Sequence, residues 1–415
     1  MTRDQLLNEG LLAKFLRYVQ IDSPSKDGTG QTPSTPEQLV LARVLCEELL
    51  TLGLTDAKVD QYGFVTATVT GTVQDCPVIG FLAHMDTISG VPAHGVKPLV
   101  HENYQGGDIS LPSGAVISPS DCPSLKRVIG HTLVTSDGST LLGADNKAGI
   151  AGIMEAVCFL LKNQHLTHGT IKVAFTPDEE IGSGISKFDV QAFGADLAYT
   201  LDGGPYGDMQ DETFNAANYR VQITGKSSHT GSARNAMINA VHLAGELVGA
   251  IPAYMRPETT DGFLGFIHPD SIQGNLEQVT MKVLVRDFTD EGLAQKEGIL
   301  QQLCLDLERR YPGAVATAER MGGYRNMKGI LKDKPEIVRL AQEAIRLTGI
   351  EPAMRQVRGG TDGSQLTYMG LPTPNLFDGG SNAHSRLEWA SVQWMQKATE
   401  MVLNLCELWS KQPRA

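Results

Sequence analysis

No stretch of the 415 residues approaches the roughly 18 consecutive apolar positions that a bilayer-spanning helix needs. The first twenty residues, MTRDQLLNEGLLAKFLRYVQ, carry charges throughout and lack the apolar run and small-residue cleavage site of a secretory signal. Cysteine is sparse: Cys46, Cys76, Cys122, Cys158, Cys304 and Cys406 are scattered without a C-x-x-C pair, which excludes a disulfide scaffold and reads as reduced thiols. These absences lead us to expect a soluble, cytoplasmic protein. Positive charge is also short. Lys and Arg total 35 against 47 Asp and Glu, a formal charge of −12, which disfavours nucleic acid or an anionic membrane surface as partner. No internal repeat or low-complexity tract is visible.

What is present is a globular composition, 41% hydrophobic and 20% charged. At about 150 residues per domain the chain needs at least two cores. In the first two hundred residues, helix-like segments (6–19, 37–52, 147–162) alternate with short apolar strand candidates (65–69, 78–83, 132–135, 171–175, 197–201), which predicts an α/β domain with a largely parallel sheet. Beyond Asp202 the style changes to alternating strands (219–224, 279–285) and helices (233–250, 291–311), as in a smaller α+β unit. The earlier style resumes near Met321, with helices over 336–348 and 391–409. We therefore expect one α/β domain over 1–210 and 321–415, interrupted by an inserted domain over 211–320. Three consecutive domains are the alternative.

Chemistry-bearing residues collect at the expected strand ends, where open α/β sheets bind ligands. His84 and Asp86 lie two apart on an extended segment and so share a face. Such a pair suits a metal-ligating imidazole with an orienting carboxylate, or an ordinary surface contact. Asp145 follows a strand-like stretch (139–142) and precedes the helix, which fits either an N-cap or a carboxylate bridging two cations. Asp178, Glu179 and Glu180 are three consecutive carboxylates whose repulsion needs cations or solvent. Adjacent side chains diverge, so Glu180 is a candidate ligand and Glu179 a candidate general base. Asp202 and His384 complete a mixed nitrogen and oxygen set suited to two Zn²⁺-like ions.

The strings AHMDT, TLLGADNKAGIAGIM, VAFTPDEEIGSG, TLDGG, FNAANY, VRDF, RGGTDGSQL and MGLPTPNLFDGG occur in that order. With them the whole chain resembles the peptidase T family, the aminotripeptidases among the di-zinc exopeptidases. The resemblance implies a mixed-sheet catalytic domain flanked by helices and a ferredoxin-like lid that commonly mediates dimers. It implies a metal-dependent aminopeptidase releasing the N-terminal residue of tripeptides, with a short peptide as partner and two zinc ions, or Co²⁺ or Mn²⁺, as cofactors. Asp145 would bridge the ions, with His84, Glu180, Asp202 and His384 as further ligands. Asp86 would orient His84, and Glu179 would be the acid/base. His229 would stabilise charge on the scissile carbonyl, while Arg286 and Arg358 would meet the substrate carboxylate. Three departures touch the pocket: Asn146 in place of a second aspartate, Ser228 and Thr230 around His229, and the loop 381–385. Alternatives are a related di-zinc hydrolase acting on dipeptides or on N-acyl or carbamoyl amino acids, and a non-catalytic peptide- or metal-binding protein.

Overall fold

The computed structural model describes residues 3–414, so Met1, Thr2 and Ala415 lie outside the described residues. Internal packing divides the chain into two units. The first comprises 3–211, 330–355 and 361–414, the second 212–329 and 356–360.

The first unit is built on an eight-stranded sheet in the order Lys58–Val59, Val65–Val69, Ile171–Thr176, Ile79–His84, Leu197–Leu201, Asn375–Leu376, Asp208–Thr213, Ala353–Val357. Its central strands, Ile171–Thr176, Ile79–His84, Leu197–Leu201 and Asn375–Leu376, are parallel, and antiparallel strands flank them, so the sheet is mixed. Ile79–His84 and Leu197–Leu201 are buried at every position, because a central strand covered on both faces has no solvent side to alternate towards. The helix Ala144–Lys162 packs on Ile79–His84 and is itself covered by Arg3–Val19 and Val392–Ser410. Its Ile150, Ile153, Met154 and Val157 are all buried. A Cβ on Gly149 would stand 2.2 Å from the Leu201 carbonyl oxygen, so glycine is what lets this helix close on the strand Leu197–Leu201, just before Asp202.

Three local expectations change. Leu133–Thr135 belongs to a separate antiparallel sheet with Leu99–His101, Trp389–Ser391 and Gly380–Ser381. The stretch 139–142 is no strand, because side chains of Ser136 and Asp137 take the amides of Gly138 and Ser139 and fold it into a turn. The helix expected from 233 begins at Ala240, where Asn239 caps it by accepting the Val241 amide.

The second unit runs strand, helix, strand, strand, helix, strand. Its sheet order is Phe266–Gly274, Gln278–Asp287, Asn215–Thr224, Val315–Gly322, all antiparallel, which is ferredoxin-like. One face alternates into a core with the helices Ala240–Ala250 and Asp290–Arg310, through Val221, Ile223, Leu243, Leu247, Met281, Val283, Leu300 and Leu307. No helix among the described residues is long and apolar enough to cross a membrane.

Candidate metal centre

The strands Ile171–Thr176, Ile79–His84 and Leu197–Leu201 lie side by side in parallel, with His84 opposite Thr176 and Phe81 opposite Tyr199. Their carboxyl ends therefore deliver His84 with Asp86, Glu179 with Glu180, and Asp202 to one edge of the sheet. Asp145 arrives from the start of the helix Ala144–Lys162, where it and Asn146 leave helical backbone angles. It does not cap that helix. His384 arrives from the loop between Gly380–Ser381 and Trp389–Ser391.

Two groups of donor atoms result, His84 with Asp145 and Asp202, and Asp145 with Glu180 and His384. The His84 Nε2 atom lies 2.9 Å from Asp145 Oδ1 and 3.6 Å from Asp202 Oδ1. The other carboxylate oxygen of Asp145 is 3.1 Å from His384 Nε2, which is 2.9 Å from Glu180 Oε1. Asp145 thus gives one oxygen to each group. On its other side, His84 Nδ1 is 3.0 Å from the Asp86 carbonyl oxygen and 3.5 Å from its carboxylate. A neutral imidazole donating from Nδ1 turns the Nε2 lone pair onto two carboxylate oxygens, which repel it unless a cation lies between.

The donor set passes a further test of fit. Buried side-chain polar atoms nearly always have hydrogen-bond partners. Among the described residues those without one are Glu180 Oε1, Thr87 Oγ1 and both amide atoms of Asn146, each in this site or next to one of its residues in the chain. A cation beside Glu180 Oε1 satisfies that oxygen directly.

Charge tells the same story. Burial pushes Glu179 well above its ordinary value and raises Glu180 to about 7. The nearby carboxylates of Asp145 and Glu180 lift His384 to about 10. Burial opposes protonation of His84, but the carboxylates of Asp145, Asp202 and Asp86 outweigh it. Burial also opposes ionisation of Asp145, yet the two histidines hold its carboxyl below the usual range. Without a cation, then, the site keeps protons that divalent ions displace.

Sequence reasoning named Asp86 only as the residue orienting His84, and missed Glu388, Asp362 and Lys147 among the groups that surround these donors. The Asp86 carboxylate is fully buried and accepts the amides of Glu179 and Glu180 at 2.9 and 3.1 Å, so it fixes the acidic turn as well as contacting His84. Glu388, 1% exposed, accepts the amides of Leu142 and Gly143 with one oxygen at 2.8 and 2.7 Å and that of Asp145 with the other at 2.9 Å. Asp362, buried at the start of Asp362–Tyr368, accepts the Thr176 hydroxyl at 2.6 Å. The Lys147 ammonium is buried, donates to the Ile21 carbonyl at 2.7 Å, and is lowered to about 8 by that burial. A charged residue set between Leu387 and Trp389 was the one available signal for Glu388.

The remaining candidates lie in the second unit. His229 is exposed, and its Nδ1 accepts the Gly231 amide at 3.1 Å, which leaves the proton on Nε2. One Arg286 nitrogen, Nη1, donates to Ala217, Asn218 and Val285, while Nε and Nη2 make no hydrogen bond among the described residues. The Arg358 guanidinium is spent on Thr260, Gly262 and Leu264 and lies over the rings of Phe214 and Phe266.

A pH dependence follows from burial. It raises Glu180 and Glu388 from 4.5 to about 7 each. Both bind a proton more tightly folded than unfolded, so the stability they contribute is complete below 4.5 and is lost as pH rises through about 7. His384, raised from 6.5 to about 10, acts in the same direction at higher pH. The EDTA-treated protein is expected to melt at a lower temperature at pH 8 than at pH 5, with divalent ions restoring the difference. A metal-free melting temperature that rises across this window would contradict the assignment.

Paired histidine and carboxylate groups sharing one aspartate, at the carboxyl edge of an α/β sheet, form a candidate centre for two metal ions. The model of the peptidase family M20/M25/M40 matches residues 136–408, and the chain belongs to that metallopeptidase family. It is 45% identical over 403 residues to Peptidase T of Shouchella clausii (strain KSM-K16), covering 97% of this chain and 98% of that one. Among solved structures, aminopeptidase PepT from Bacillus cereus ATCC 10987 superposes with a TM-score of 0.76 at 24% identity, covering 97% of this chain and 99% of that one. A tripeptidase from Staphylococcus aureus subsp. aureus mu50 gives 0.77 at 23% identity, covering 98% and 99%. At these identities the two structures speak for the fold.

Proposed function

We propose that the chain is an aminopeptidase that removes the N-terminal residue from tripeptides at this centre. The observation that carries the reading is Asp145, whose two oxygens belong to two different donor groups, with Glu179 beside them but in neither. His84 and Asp202 would hold one ion and Glu180 and His384 the other, with Asp145 contributing to both; the nitrogen and oxygen donors suit zinc, and Co²⁺ or Mn²⁺ could replace it. Divalent ions held there would supply Lewis acidity to the scissile carbonyl and the attacking water. Glu179 takes a proton from that water and returns it to the departing amine, and its raised affinity for a proton suits both steps. Asp86 keeps Glu179 and His84 in place.

The substrate's carboxylate is assigned to Arg286, which has free N–H donors, in preference to Arg358, whose guanidinium is occupied. His229 donates from Nε2 to the developing oxyanion. Arg286→Met is expected to raise KM for tripeptides by ~30-fold or more with a smaller change in kcat, because a charge-assisted contact to a substrate end is lost. Equal KM values for the two proteins would remove Arg286 from the role.

The reading extends to a cytoplasmic enzyme, which the six unpaired cysteines support, and to dimerisation through the second unit, acting there as a lid. The experiment that tests it is hydrolysis of free-amine tripeptides, dipeptides and N-acetyl amino acids by protein reconstituted with Zn²⁺, Co²⁺ or Mn²⁺. Preference for the tripeptides supports the proposal. Preference for N-acetyl amino acids or dipeptides moves it to a related hydrolase, and no hydrolysis of any class leaves a binding protein.

A further inference from the structure

A cavity of about 330 Å³ opens beside the centre, lined by the carboxyl-bearing residues Asp145, Asp202, Asp208, Asp378 and Glu388 and by no Lys or Arg. Four of the five carboxylates are accounted for. Asp145 and Asp202 belong to the donor groups, Glu388 is taken by three amides, and Asp208 stands 3.7 Å from the Arg355 guanidinium. Asp378 is left over. Its side chain is 3% exposed, Oδ1 accepts the Gly380 amide at 2.9 Å, and Oδ2 receives no hydrogen bond among the described residues.

A buried carboxylate with one oxygen free of hydrogen bonds, lining a cavity that offers it no Lys or Arg, is an acceptor open to a cationic group entering that cavity. A third metal ion does not suit the place, because Asp378 belongs to no group of three donors close enough to chelate one. A primary ammonium does suit it, since such a group needs only one strong acceptor and can turn its other two N–H bonds elsewhere.

The geometry points to Asp378 as the residue that receives the ammonium group of the substrate's N-terminal residue. The inference rests on the proposed aminopeptidase reading, in which the substrate's amine is free. It makes Asp378 a specificity-determining residue, the group that distinguishes a free peptide terminus from an acylated one and holds it next to the ions.

The test compares the unaltered enzyme with Asp378→Asn and, as a second and smaller replacement, Asp378→Ser, each with its metal content measured. Substrates are an Ala-initiated and a Lys-initiated tripeptide. The expected result is a loss in kcat/KM of roughly 30-fold or more, carried mostly by KM, with metal content unchanged. An equal loss on both substrates supports contact with the α-ammonium, and a loss on the Lys-initiated peptide alone, which points to the side-chain ammonium, overturns the inference. Should neither variant fold, the unaltered enzyme provides the readout. Alanine hydroxamate must inhibit at least about tenfold more strongly than propionohydroxamate, which lacks only the amine, and equal inhibition overturns the inference. Active variants with unimpaired KM overturn it alone. An unaltered enzyme that cleaves N-acetyl amino acids and no tripeptide overturns the aminopeptidase reading and this inference with it.

Discussion

Glu179→Ala is expected to lower kcat by ~10³-fold or more while the chain still binds two metal ions, because positioned general bases contribute about 10²- to 10⁴-fold. The separation of the two effects is what identifies the role. Glu179 belongs to neither donor group, so its removal leaves both sets of ligands complete. The turn that carries it also keeps its shape, because the amides of Glu179 and Glu180 still donate to Asp86. Burial raises Glu179 well above the ordinary carboxylate range, so it can give up a proton within the catalytic cycle as well as accept one. Glu180→Ala makes the natural control, since it deletes a donor atom and should cost metal. The measurements are kcat on a tripeptide and metal per chain by elemental analysis. A rate within tenfold of the unaltered enzyme would remove Glu179 from the chemistry.

Asp145→Ala is expected to be more destructive, abolishing turnover and weakening binding of both ions by more than ~100-fold. Replacement of a group that merely orients a ligand typically costs 10- to 100-fold in affinity, and Asp145 supplies a donor oxygen to both groups. Its loss also leaves His84 and His384 each facing one carboxylate fewer, so both imidazoles hold their protons less tightly. Calorimetric titration of the metal-free variant separates this outcome from simple unfolding, provided the unfolding transition is recorded alongside. A variant that binds one ion with unaltered affinity would show that Asp145 serves a single group.

Much of the site was legible because the relevant signals are local. An uninterrupted apolar strand ending in a polar cluster predicts where an α/β sheet presents ligands, and Ile79–His84, Ile171–Thr176 and Leu197–Leu201 each deliver their donors at that end. The start of the helix at Asp145 was harder, since cap and ligand read alike in sequence. The decision came from Glu388, which holds the Leu142 to Asp145 backbone from a point 243 residues away along the chain. The hold of Asp86 on the acidic turn, and the part of Asp362, were hidden for the same reason. Asp86 contacts Glu179 through a separation of 93 residues, and Asp362 contacts Thr176 through 186.

The residue types available for chemistry, their positions at strand ends and the division into α/β and α+β styles were determined by the sequence alone, because periodicity and donor chemistry depend on neighbours along the chain. The mixed sheet, the separate small sheet holding the His384 loop, the sharing of Asp145 between two donor groups and the burial of Asp378 against the cavity were decided by tertiary structure. Each depends on distances between segments far apart in the chain, and only packing sets those distances. The acidic excess of the composition shows the difference: a net charge of −12 says nothing of location, whereas burial gathers a few of those carboxylates where they need cations.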